Sequence, residues 1–150
     1  MQRRDLLAIA ALGATVSVEG VFAQTAGVAN HARLIRIYAK PNGDSAIEEI
    51  EIRPNAGPIP VTQMTASVYG GSGARKPDWH TAPRKQFAIN MTGDLEVEIT
   101  SGERKKIGAG DLVFLEDLTG KGHVTRALGP ITNVFIHVAD GFDVVAWARG

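Results

Sequence analysis

Apolar residues recur along this chain in short runs with a period near two, and no amphipathic run of about 12 or more residues carries the helical period. Residues 34–39 read as a first strand. Ile47, Ile50 and Ile52, set among Glu48, Glu49 and Glu51, give a second with imperfect alternation, and residues 65–69 a third. Residues 86–91 and 95–100 alternate cleanly around Thr92-Gly93-Asp94, the spacing expected of a hairpin. Residues 112–115, 123–128, 131–139 and 144–147 complete a series of short strands. Pro54, Gly57, Pro58 and Pro60 break the chain, and Gly70-Gly71-Ser72-Gly73 forces a loop toward Pro83. Gly108-Ala109-Gly110-Asp111 reads as a tight turn whose aspartate accepts backbone hydrogen bonds. The polar stretch 116–122 is a loop. Many short strands joined by tight turns predict an all-β domain, either a closed barrel or a two-sheet sandwich.

The first 23 residues stand apart. Arg3 and Arg4 precede a mainly apolar stretch from Leu6 to Val18, and Val21-Phe22-Ala23 offers a cleavage site. The paired arginines resemble a twin-arginine export signal, from which Gln2 and Asp5 depart, so the ordinary secretion route stays open. The stretch falls short of the roughly 20 apolar residues that span a bilayer. The expected organisation is a signal peptide over 1–23, a small polar leader over 24–31 that includes His31, and one domain over 32–150, in the periplasm or secreted.

Composition narrows the chemistry. The 150 residues are 44% apolar and 21% charged, with 17 glycines and 7 prolines, as a turn-rich globular domain requires. Sixteen basic residues balance 16 acidic ones, which argues against a nucleic-acid or anionic-membrane partner. Cysteine is absent, so disulfides, thiolate metal sites and cysteine nucleophiles are excluded. Any metal must sit on nitrogen or oxygen. No phosphate loop, dinucleotide fingerprint or Gly-x-Ser-x-Gly elbow occurs.

The segment Asp78-Trp79-His80-Thr81-Ala82-Pro83-Arg84-Lys85-Gln86, continuing to Gly93, resembles the first motif of the cupins. His80 matches that motif's first histidine, Gln86 its glutamate and Gly93 its closing glycine. Ala82 stands where the second histidine would be. Gly110-Asp111 through Gly120-Lys121-Gly122-His123 resembles the second motif, with His123 at the ligand histidine, Leu118 in place of a proline and Ala127 in place of an asparagine. The resemblance spans about residues 32–148. It implies a small single-domain cupin-type β-barrel, or jelly roll, whose lumen holds a small-molecule ligand. It also implies a divalent metal ion (Fe, Mn, Ni or Zn) on His80, Gln86 and His123, with Asp117, or else Glu116, restoring a carboxylate from the loop. Homodimers are common in that family.

Strand phase extends the expectation. If Gln86 points inward, Ala88 and Asn90 do too, while Phe87, Ile89 and Met91 form an outer apolar face needing cover from the N-terminal strands or a second copy. His123 then aligns with Thr125 and Ala127, and His137 with Asn133 and Phe135. His137 is the candidate general acid or base. Trp79, Tyr38 and Tyr69 are candidates for the cavity mouth, and Arg84, Lys85 and Lys121 for selecting a small carboxylate or forming a solvated rim. Two functions follow: a metal-dependent enzyme acting on a compact organic substrate, or a module that binds such a ligand without turnover.

Overall fold

A computed structural model describes residues 32–69 and 77–150. The export signal, the leader with His31 and the glycine cluster at 70–73 lie outside the described residues. The elements are β1 (Ala32–Ala39), β2 (Ser45–Ile52), β3 (Val61–Tyr69), β4 (Gln86–Thr92), β5 (Leu95–Glu98), β6 (Arg104–Ile107), β7 (Leu112–Glu116), β8 (Val124–Ala127), β9 (Ile131–Val138) and α1 (Val144–Arg149). The described domain is all-β apart from this one short helix.

The strands form two sheets, a large one in the order β2-β1-β7-β4-β9-β3 and a small one in the order β6-β5-β8. Between them Ile35, Ile37, Val113 and Ile131 of the large sheet pack on Leu95, Val97 and Ile107 of the small one. The barrel that the sequence suggests is therefore two facing sheets, not one ring of strands closed by hydrogen bonds. Facing side chains pack between the sheets, and the space left among them is a cavity.

The hairpin read at Thr92-Gly93-Asp94 is a second correction. β4 pairs with β7 and β9, whereas β5 pairs with β6 and β8, so this turn carries the chain from one sheet to the other. Gly93 has φ +74, and a Cβ there would lie 2.2 Å from Pro130 O. A left-handed backbone in close contact needs glycine. Alternation reports which residues share a face, and says nothing about which strand lies alongside.

A third correction concerns residues 144–147, which form the start of α1 and not a strand. A short continuous apolar run fits either state, and its ends decide. Asp143 Oδ1 accepts hydrogen bonds from the backbone N–H groups of Val145 and Ala146, each 3.0 Å, so it caps the helix. Gly150, at φ +78, closes the other end. Val144 and Ala148, four apart on one face, are buried.

This helix covers the outer face of the large sheet. Phe87 and Phe114 are fully buried beneath it with Leu34 and Val138. Phe87 meets the rings of Phe114 at 4.8 Å, Trp147 at 5.5 Å and Phe142 at 5.8 Å between centroids. Burying such a ring contributes about 1.5–3 kcal/mol. The expected cover from the N-terminal strands or a second copy is thus supplied for Phe87 by the C-terminal segment. Further along, Met91 stays exposed, as do Met64 and Val68 on the edge strand β3. Among the described residues no helix is long and apolar enough to cross a membrane.

Candidate functional site

The cavity between the sheets has a volume of about 850 Å³. Its large-sheet wall is built from three cross-strand pairs of β4 and β9: Gln86 opposite His137, Ala88 opposite Phe135, and Asn90 opposite Asn133. All six side chains line the cavity, as the strand phase predicts. Across it stand Val97 of β5 and His123, Thr125 and Ala127 along and just before β8. Polar side chains thus occupy both ends of the β4–β9 wall and apolar ones its middle. At about 3.3 Å per residue, the Gln86 and Asn90 ends lie roughly 13 Å apart.

His80 and His123 meet on the small-sheet side. Their backbones form an antiparallel bridge, with His80 N–H donating to His123 O (3.0 Å) and His123 N–H donating to His80 O (2.8 Å). The two rings lie 4.5 Å apart between centroids. Gly122 makes this approach feasible, since a Cβ there would lie 2.0 Å from His80 O at φ +75. Ser45 Oγ donates to Gly122 O, and Ala82 N–H donates to Asp117 O, tying the loop to β2 and to the segment before β4.

Hydrogen bonds assign the ring nitrogens. A neutral imidazole has one donor nitrogen and one acceptor. His80 Nδ1 lies 3.0 Å from the Asp78 carbonyl oxygen, which only accepts, so Nδ1 carries the hydrogen and Nε2 the lone pair. The hydrogen bond to the residue two before it and the place in the cavity wall hold together. His123 Nδ1 lies 2.6 Å from Asp117 Oδ2 and is fixed the same way. Two lone-pair nitrogens therefore belong to one wall.

Asp117 is fully buried and is absent from the cavity wall. One carboxylate oxygen engages His123, and the other has no partner among the described residues. Glu116, the alternative carboxylate, turns to the outer face and pairs with Arg36. Burial works against the charge on Arg36, but hydrogen bonds to Glu48 and Glu116 outweigh it and raise the pKa of the guanidinium. Gln86 is buried, lines the cavity and makes no side-chain hydrogen bond to a described residue. Among the described residues no three His, Asp or Glu side chains are grouped closely enough to hold a metal ion. The available donors are two imidazole nitrogens and one neutral carboxamide oxygen. That set fits a loosely held cation better than a tightly bound one, because no anionic ligand offsets its charge.

His137 is buried in the wall within a separate polar group. Arg84 Nη1 donates to His137 Nδ1 over 3.2 Å, Gln63 lies 3.1 Å from the same nitrogen, and Thr65 Oγ1 is 3.5 Å from Nε2. Arg84 Nη1 can only donate and Gln63 Oε1 can only accept, so the two contacts make opposite demands on Nδ1 and do not fix the tautomer. Gln63 and Thr65 are partners that the sequence did not signal, because β3 mixes polar and apolar residues without a clear inner face. The proposed mouth aromatics do other things. Trp79 stacks under Lys121 at 4.3 Å and Tyr38 under Arg36 at 4.4 Å, while the Tyr69 side chain lies outside the description. Lys85 donates to Phe142 O on the outer side. Of the three candidate rim cations, Arg84 alone lines the cavity.

No family model matches the chain, and no curated protein does. Among the solved structures that match, two overlap it with a TM-score of 0.38 and 15% identity. One is protein NMB1881 from Neisseria meningitidis, over 70% of this chain and 82% of that one. The other is a Salmonella typhimurium LT2 protein assigned by name to ethanolamine utilization, over 75% of this chain and 99% of that one.

Proposed function

We propose that this protein is a cupin-type, small-molecule-binding protein whose two-sheet cavity is the lumen of an open jelly roll. It holds a compact organic ligand with the His80 and His123 imidazoles at one side and Gln86 and His137 at the other. The observation that carries this reading is the cavity itself. It is large enough for a ligand of drug-like size, mostly apolar in its middle, and supplied with a few convergent polar groups. A hydroxyl or other donor on the ligand would bond to the paired Nε2 atoms. His137, an imidazole in the cavity wall, is the group placed to exchange a proton with a bound ligand.

The paired lone-pair nitrogens favour a second reading, in which a divalent metal (Fe, Mn, Ni or Zn) sits on His80 and His123 with Gln86 as a third donor. Such an ion would polarise a ligand carbonyl or enol oxygen. Thermal melting against a panel of small organic acids, alcohols and carbonyl compounds separates these cases. Stabilisation by RT ln(1 + [L]/Kd) that survives chelation supports the first reading. Stabilisation that needs added metal and disappears in both His80→Ala and His123→Ala supports the second. No stabilisation by any compound, with or without metal, sinks both.

A further inference from the structure

The polar group around Arg84 suggests what the ligand must carry. Arg84 and Asp78 are the formally charged residues of the cavity wall, and Arg84 makes no ion pair with a described carboxylate. Its one side-chain partner among the described residues is His137, reached through Nη1. That leaves Nε and Nη2, the pair of donors with which a guanidinium grips a carboxylate side-on. Beside it, Gln86 sits directly opposite His137 in the β4–β9 register. Gln86 is only 6% exposed, and its carboxamide has no hydrogen-bond partner among the described residues although it lines the cavity. Its carboxamide opens onto the cavity, where a ligand can reach it.

We propose that Arg84, Gln86 and His137 form a carboxylate subsite, so that the ligand is a compact organic acid. This rests on the reading of the cavity as a ligand site and adds the class of ligand. The guanidinium provides charge and a planar fork, and the Gln86 amide N–H donates a further hydrogen bond. The Gln63 and Thr65 contacts keep the His137 ring in place, and with it the Arg84 arm. The carbon chain of the acid then lies along Ala88, Phe135 and Val97, and its far end reaches toward Asn90 and Asn133. A single cation suits a monoanion, whereas a phosphate dianion commonly draws on several cations or a helix N-terminus. Among the described residues no helix begins in this wall.

The test compares phenylacetate with phenylacetamide, which share shape and differ in charge, by NMR titration of the full chain. We expect phenylacetate to bind at least tenfold more tightly, with shifts at Arg84, Gln86 and His137. Arg84→Gln should abolish that preference, and Arg84→Lys, which keeps the charge but not the fork, should restore part of it. Arg84 is exposed, so these variants leave folding intact. Equal affinity for the two probes, or a preference that survives Arg84→Gln, overturns the subsite. If the amide still shifts His80 and His123 resonances in that event, the cavity reading stands and only the carboxylate assignment falls. Response to neither probe up to about 10 mM, tenfold above a millimolar Kd, overturns the subsite and removes support from the cavity reading with it.

Discussion

Asp117 holds His123 by a 2.6 Å hydrogen bond between two buried side chains, from behind the cavity wall. The carboxylate fixes which nitrogen of the ring carries the hydrogen and so which one reaches the site, a relationship familiar from imidazoles that bind metals or protons. Asp117→Ala leaves His123 Nδ1 buried without an acceptor. The expected loss is about 1–3 kcal/mol of stability in urea unfolding. The ¹⁵N resonances of His123 should report an Nδ1–H ring in the wild type and mixed tautomers in Asp117→Ala. An unaltered tautomer in Asp117→Ala would remove the positioning role.

Gly122 provides a sharper steric test of the same junction. At its φ of +75, a side-chain Cβ would come within 2.0 Å of His80 O, so Gly122→Ala is strained and clashing at once. Gly102, at φ +84, has nothing within 4 Å, so Gly102→Ala carries the backbone strain alone, about 1–2 kcal/mol. Gly122→Ala should cost clearly more than Gly102→Ala and separate the two imidazoles. Equal melting temperatures for the two variants would mean that the His80–His123 bridge is not held by close contact.

Much of this site was legible in the sequence because the side-chain period of a strand is two. Gln86 with Ala88 and Asn90, His123 with Thr125 and Ala127, and His137 with Asn133 and Phe135 each share the cavity face that alternation assigns them. What alternation cannot carry is partner choice and the direction of loop side chains. The turn at Gly93 looks like a hairpin because its length fits one, and only tertiary pairing shows that it changes sheets. Asp117 is one residue from Glu116, yet one lies buried behind His123 and the other pairs with Arg36 outside. The run Val144-Val145-Ala146-Trp147 has no period of its own, and the caps Asp143 and Gly150 decide it.

The cap on that helix is also a pH sensor of modest size. Hydrogen bonds from the Ala146 and Val145 N–H groups, opposed by slight burial, hold the Asp143 carboxyl below its usual pKa. A group whose pKa is lowered by folding contributes stability above its unfolded value, near 3.9, and loses that contribution as pH falls through the folded value. Asp143→Ala should therefore cost about 1 kcal/mol at pH 7 and progressively less on acidification below about pH 4. Asp143→Asn, an equally good cap without a charge, should keep most of the neutral-pH stability. Melting curves at pH 7 and pH 3 check both, and an Asp143→Ala protein as stable as the wild type at pH 7 would refute the capping role.

Phe87 and Ala88 are neighbours in β4 that face opposite layers, and their substitutions should divide stability from binding. The Phe87 ring is fully buried against Phe114, Phe142 and Trp147, so Phe87→Ala opens a void beneath α1 and should cost about 3–5 kcal/mol. Ala88 instead lines the cavity of about 850 Å³, opposite Phe135 and beside the core around Val97. Ala88→Leu should then cost about 1 kcal/mol, the low end for an enlarged side chain, because it grows into the cavity. The same change narrows the apolar middle of the cavity, so phenylacetate binding should weaken at least tenfold while the fold persists. Urea unfolding and NMR titration of the two variants read these effects separately. Strong destabilisation by Ala88→Leu would mean that the space beside Phe135 is filled in solution, and undiminished binding would place the ligand elsewhere.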